Sequence, residues 1–189
     1  MPYSKDHVKA VRQRILDCAG KLFRERGYEG VGIDAIMAEA GLTRGGFYAH
    51  FKSKVDLFAH MAGERFDFAN QLKRLEETPP EGVADRTAFA MSYYLNAENR
   101  ELNAAACTMA SSAVDVARGG PAAKAAFGAR VQEVARGIDE LRKQDFHGKD
   151  QGNATADLCL AVGALVLSRG CNEDVAQTIL AAALTKLSR

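Results

Sequence analysis

The chain has no tryptophan, only four prolines and four cysteines among 189 residues, and a net charge of just +1 at pH 7. No uninterrupted apolar run approaches 18 residues, so no membrane-spanning helix is expected. The opening Met-Pro-Tyr-Ser-Lys-Asp has no apolar signal core, which leads to a cytoplasmic reading. Cysteines 18, 107, 159 and 171 show no C-x-x-C spacing and no paired histidines accompany them. That argues against a zinc site and against a disulfide framework. Alternating β-branched runs are missing, so no sheet is expected. There is no Glu-x-x-His pair, no phosphate-cradling glycine loop and no Cys/Ser–His constellation, and His7, His50, His60 and His147 are dispersed. Catalysis, a metal and a cofactor are therefore not expected.

What is present is helical periodicity and an uneven distribution of charge. Residues 1–60 hold ten Lys/Arg against seven Asp/Glu, and the remainder is slightly acidic. So modest an excess binds DNA weakly unless the charges converge or two copies act together. A helix is predicted over 6–26, with Val8, Val11, Ile15, Cys18, Ala19, Leu22 and Phe23 inward and Gly27 ending it. A short helix follows over 32–40, with Ile33, Ile36, Met37 and Ala40 on one face.

The most informative stretch is Gly41-Leu42-Thr43-Arg44-Gly45-Gly46-Phe47-Tyr48-Ala49-His50-Phe51-Lys52-Ser53-Lys54. Gly41 sits where a helix end turns left-handed, and Thr43 is a suitable N-cap for the next helix. Leu42 and Phe47 have the spacing of a hydrophobic staple, and Phe47 and Phe51, four apart, face inward together. Arg44, Gly45, Tyr48 and His50 are left outward. A short helix with one anchored face and one donor-rich face suits the DNA major groove. Ser53 and Asp56 resemble a capping box that opens a further helix at Lys54. A lysine there opposes the helix dipole, which favours a phosphate-binding role instead.

The run Ile15-Leu16-Asp17-Cys18-Ala19…Leu22-Phe23…Gly27-Tyr28…Ile33-Asp34-Ala35-Ile36…Ala40 to Phe51…Lys54…Leu57 resembles the DNA-binding domain of TetR-family transcriptional repressors. The resemblance covers about the first third of the chain. It departs at the cap of the second helix, where the family commonly has Ser or Thr and this chain has Gly32. The resemblance implies an all-α fold. Residues 1–54 would form a helix-turn-helix domain and 55–189 a helical ligand-binding and dimerisation domain, about nine helices in all. It also implies DNA contacts from Thr43, Arg44, Gly45, Gly46, Tyr48, His50 and Lys54. Arg44 is read as contacting guanine O6/N7, or else phosphate alone. Tyr48 and His50 are read as phosphate contacts, or as a packing ring and a structural histidine.

Beyond the first domain, helices are predicted over 55–77, 84–95, 104–118, 121–146, 154–169 and 173–187, with Thr78-Pro79-Pro80-Glu81-Gly82 stopping the first. The segment 158–167 is apolar nearly all round and needs cover on more than one side. A two-fold homodimer built from the last two helices supplies that cover, with Leu158, Val162, Leu165, Val175, Ile179 and Ala183 at the interface. A central core helix within one chain is the other solution. The resemblance further implies a small-molecule pocket among residues 55–169. Phe66, Phe89, Met91, Tyr93, Tyr94, Cys107, Met109 and Phe127 are its candidate lining, suited to an apolar or aromatic inducer, though plain core explains each of them too. Cys107 falls at the start of a helix, whose dipole would lower its thiol pKa. The function expected is thus a ligand-responsive repressor on an inverted-repeat operator in double-stranded DNA. Control by a protein partner or by cysteine oxidation is the alternative.

Overall fold

Polar side chains open most of the helices. The Ser4 hydroxyl accepts from the His7 N–H at 3.2 Å and starts α1 (Lys5–Arg26). After Gly27 come α2 (Ile33–Glu39), a 3₁₀ helix (Arg44–Ala49), α3 (Lys54–Glu64) and α4 (Asp67–Glu77). Asp85 caps α5 (Arg86–Tyr94), and the Asn96 side chain accepts from the Asn99 N–H to begin the short α6 (Ala97–Arg100). Then follow α7 (Thr108–Arg118) and α8 (Gly120–Asp145), and Asn153 and Asn172 cap α9 (Ala154–Arg169) and α10 (Glu173–Leu187). The structure is a computed structural model and describes residues 4–64, 67–100, 107–145 and 152–188. Among them there is no strand, and the all-α expectation stands.

Two expectations change. The single helix expected over 55–77 is two elements, α3 and α4, and the residues between them lie outside the described ones. The short α6 has no counterpart in the sequence reading.

The apolar side chains separate into two cores. The first gathers Ile15, Leu16, Leu22 and Phe23 of α1, Ile36 and Met37 of α2, Phe47 and Phe51, and Leu57, Phe58 and Met61 of α3. Val116 of α7 and Ala123 of α8 complete it. This core therefore continues past residue 54 into α3 and into the helices behind it. Phe23, Phe47, Phe51 and Phe58 are all 2% exposed or less. Burial of each such ring stabilises the head by about 1.5–3 kcal/mol, and Phe47→Ala alone would cost about 3–5 kcal/mol. The second core joins α4, α5, α8, α9 and α10 around Leu72, Met91, Tyr94, Ile138, Leu158 and Leu165. Phe127 of α8 packs against both.

The long α8 is the common wall. Its Gly137 lets α4 come close, since a Cβ there would lie 3.1 Å from Leu72. At its far end the buried Asp145 carboxylate accepts from the Arg86 and Thr87 main chain at 2.9 and 3.2 Å and from Arg86 Nε at 2.6 Å, seating the start of α5. Behind α5, Arg169 of α9 donates to the Asn99 and Arg100 carbonyls at 2.7 and 2.8 Å and holds α6. No described helix is long and apolar enough to cross a membrane.

The last two helices correct part of the dimer expectation. Leu158, Leu165 and Ala183 are buried in the chain's own second core, and Val162 and Ile179 are packed against it. One stripe of α9, at 158, 161, 165 and 168, faces inward at helical spacing. The outward side of α9 carries Leu160, Val166 and Leu167 instead, while Val175 of α10, one of the expected six, is exposed.

Candidate nucleic-acid interface

The turn between α2 and the 3₁₀ helix is a complete Schellman motif. Gly41, at φ +64°, donates to the Ala38 carbonyl at 3.0 Å, and Leu42 to the Met37 carbonyl at 2.8 Å. The next element is a 3₁₀ helix rather than the expected α-helix. Two successive glycines, Gly45 and Gly46, weaken α-helix formation at its start. Thr43 has the extended N-cap backbone, φ −83° and ψ 150°, but its side chain makes no capping bond and stays exposed.

Phe47 is fully buried and Phe51 nearly so, with ring centroids 5.8 Å apart, and Leu42 packs on the same core. Anchored this way, the segment turns Thr43, Arg44, Gly45 and Tyr48 to the surface. A Cβ at Gly45 would meet nothing within 4 Å, so the main chain there is open to approach. Tyr48 is 58% exposed, with its ring edge-on to Phe47 at 5.4 Å. His50 is half-buried, and burial together with the nearby Arg12 guanidinium lowers its pKa. The lowered pKa favours the neutral imidazole, which presents an N–H rather than a charge. Arg44 is exposed, and its Nη1 lies 2.6 Å from Asp34 Oδ2 at the start of α2.

Lys54 departs from expectation. Its Nζ donates to the carbonyls of Tyr28 at 2.9 Å and Val31 at 3.0 Å, and sits 4.0 Å from the centre of the Tyr28 ring. The ammonium ties the start of α3 to the α1–α2 connection, and two of its three donors are engaged there. This contact accounts for a lysine at a position the helix dipole disfavours. The cap of α3 is close to the expected box: Asp56 N–H donates to the Ser53 hydroxyl at 3.0 Å, while the Asp56 carboxylate reaches the N–H of Lys52 at 2.8 Å.

Residues 15–61, which span this whole arrangement, match the sequence model of the family described as bacterial regulatory proteins, tetR family. This N-terminal segment is of the tetR family. Among its curated TetR-type relatives, the HTH-type transcriptional regulator AcrR of Shigella flexneri is 41% identical over 58 residues, 31% of this chain and 27% of that one. The chain spans less than half the length of the curated relatives it matches. Of solved TetR-type structures, reduced Escherichia coli NemR superposes with a TM-score of 0.78 at 17% identity over 95% of both chains. AibR, solved with isovaleryl coenzyme A and operator DNA, gives 0.66 at 19% identity over 94% of this chain and 97% of its own. At those identities the likeness shows a shared all-α fold over nearly the whole chain.

The residues expected to line a pocket divide. Met91, Tyr94, Cys107 and Met109 are buried together in the second core, and Phe127 is half-buried between the two cores. Phe89 and Tyr93, at 43% and 47% exposure, lie on the exposed side of α5. Phe66 lies outside the described residues. The Tyr94 hydroxyl lies 2.9 Å from Cys107 Sγ. Burial raises the Cys107 pKa in spite of the helix start and this hydrogen bond, so the expected lowering by the helix dipole is reversed. An open groove of about 570 Å³ runs between α8 and the start of α9, lined by polar residues including Gln132, Arg136, Asp139 and Asn153, and none of the seven described candidates borders it.

Proposed function

We propose that the chain is a DNA-binding transcriptional regulator, a homodimeric repressor that leaves an inverted-repeat operator when a small apolar or aromatic ligand binds. The observation that carries the reading is the 3₁₀ segment, with Phe47 and Phe51 sunk in the core and Thr43, Arg44, Gly45 and Tyr48 on the surface. The division into a DNA-binding head at 1–54 and a ligand-binding and dimerisation part at 55–189 belongs to the same reading. The exposed apolar residues Leu160, Val166, Leu167 and Val175 favour pairing of α9 and α10 with a second copy. Pairing would set two heads on successive major-groove faces, about 34–36 Å apart, and would double a modest charge. Tyr94, Met91, Cys107 and Met109 supply apolar surroundings for a ligand. The isovaleryl coenzyme A held by AibR makes short acyl thioesters a sensible part of the first panel.

The test is selection of duplexes from a random-sequence library by the full chain, followed by sedimentation of the free and bound protein. Enrichment of an inverted repeat bound by a dimer is the expected result. A monomer at micromolar concentration, or no enriched sequence, overturns the reading.

A further inference from the structure

Arg44 is the outward cation of the 3₁₀ segment, and it is held at one edge. Its Nη1 meets Asp34 Oδ2 at 2.6 Å, although both side chains remain largely exposed, at 62% and 66%. The two residues come from different elements, ten positions apart, so helix periodicity does not bring them together. On a surface that binds polyanions, a carboxylate weakens attraction for every phosphate it faces. Its presence beside Arg44 therefore lowers affinity for phosphates, although a carboxylate in the first turn of α2 also suits the helix dipole.

The guanidinium shows how it would improve discrimination. It has five N–H donors in a rigid fork. One edge engaged by Asp34 leaves the other for a two-point contact with a base edge, of the kind guanine O6 and N7 accept. A phosphate approaching the same guanidinium meets the Asp34 charge as well. The carboxylate thus penalises the unspecific contact more than the specific one, and discrimination is a difference of affinities.

We propose that Asp34 is a specificity-determining residue that orients Arg44 for base contact and opposes its use on phosphates. This rests on the DNA-binding reading above. The experiment compares the unaltered chain with Asp34→Asn, Arg44→Ala and the double variant, each titrated with a duplex selected by the unaltered chain and with a random duplex, over a range of salt.

For Asp34→Asn, binding to random duplex should tighten and its salt slope steepen by up to about one unit. The ratio of selected to random affinity should fall by about tenfold. In the Arg44→Ala background the same change should leave the ratio unaltered, which a general loss of stability would not produce. An unchanged ratio for Asp34→Asn overturns the inference and leaves the DNA-binding reading intact. The same change of ratio with and without Arg44 also overturns it, because Asp34 would then act without that arginine. Failure of the unaltered chain to select any duplex overturns both.

Discussion

The main-chain N–H of Tyr28, in the connection between α1 and α2, donates to the Asp115 carboxylate of α7 at 2.9 Å, across 87 residues of sequence. On its other side the Tyr28 carbonyl accepts from Lys54. Its ring packs against Phe23 and Phe58, at 5.5 and 4.7 Å between centroids, and those two rings also touch each other. One residue thereby joins the head to a helix that starts in the second core, at Cys107. A further close approach reinforces the joint, since a Cβ at Gly119 would lie 3.3 Å from Phe58.

Asp115→Ala should leave the half-buried Tyr28 amide without its acceptor. A hydrogen bond to a charged group of this kind is worth about 1.5–3 kcal/mol. The variant should melt several degrees lower, and the Tyr28 amide should exchange with deuterium at least about tenfold faster, with smaller changes in α10. Equal exchange at Tyr28 in the two proteins would show that Asp115 does not hold the head.

Lys54 yields a prediction that separates its inward contacts from the phosphate role its position suggested. Lys54→Met keeps an apolar stem of similar length near the Tyr28 ring and removes both hydrogen bonds to the Tyr28 and Val31 carbonyls. Stability should fall by about 1–3 kcal/mol, while the slope of log affinity against log salt stays where it was. A slope lower by about one unit would place the ammonium on a phosphate after all.

The contrast between Arg44 and Lys54 marks how much of the site was legible in the sequence. Gly41, Leu42 and Phe47 act through neighbours at fixed short spacings, so the turn and its buried face could be read directly. The partners of Lys54 lie 23 and 26 residues back, and no local pattern announces them. Phe89 and Tyr93 were misplaced for a related reason. α5 has apolar residues on both faces, and its packing on α4 and α8 decides which face turns in: Ala90, Met91 and Tyr94. In α9, where apolar residues run nearly all round, the sequence called for cover on two sides but did not say which stripe the chain itself would cover.

Alkaline pH gives a test of the buried Tyr94–Cys107 pair. Burial raises both pKa values, that of Tyr94 well above its ordinary value. The folded chain therefore holds these two protons more tightly than the unfolded chain does, and stability must fall as pH rises through the range where the unfolded chain gives them up. That range begins at about pH 8.5 for a thiol and about pH 10 for a phenol. Below it, the pair contributes its full stability. The melting temperature should thus be level from pH 7 to 8 and decline beyond about pH 8.5, and Cys107→Ala should delay the onset of the decline towards the tyrosine range. Mass-spectrometric mapping of iodoacetamide at pH 8 supplies an independent reading. The half-buried Cys171 should be modified before Cys107, which reacts only as the chain unfolds. Labelling of Cys107 at the rate of Cys171 in the folded protein, together with an unchanged alkaline profile in Cys107→Ala, would mean that the thiol is neither buried nor held protonated.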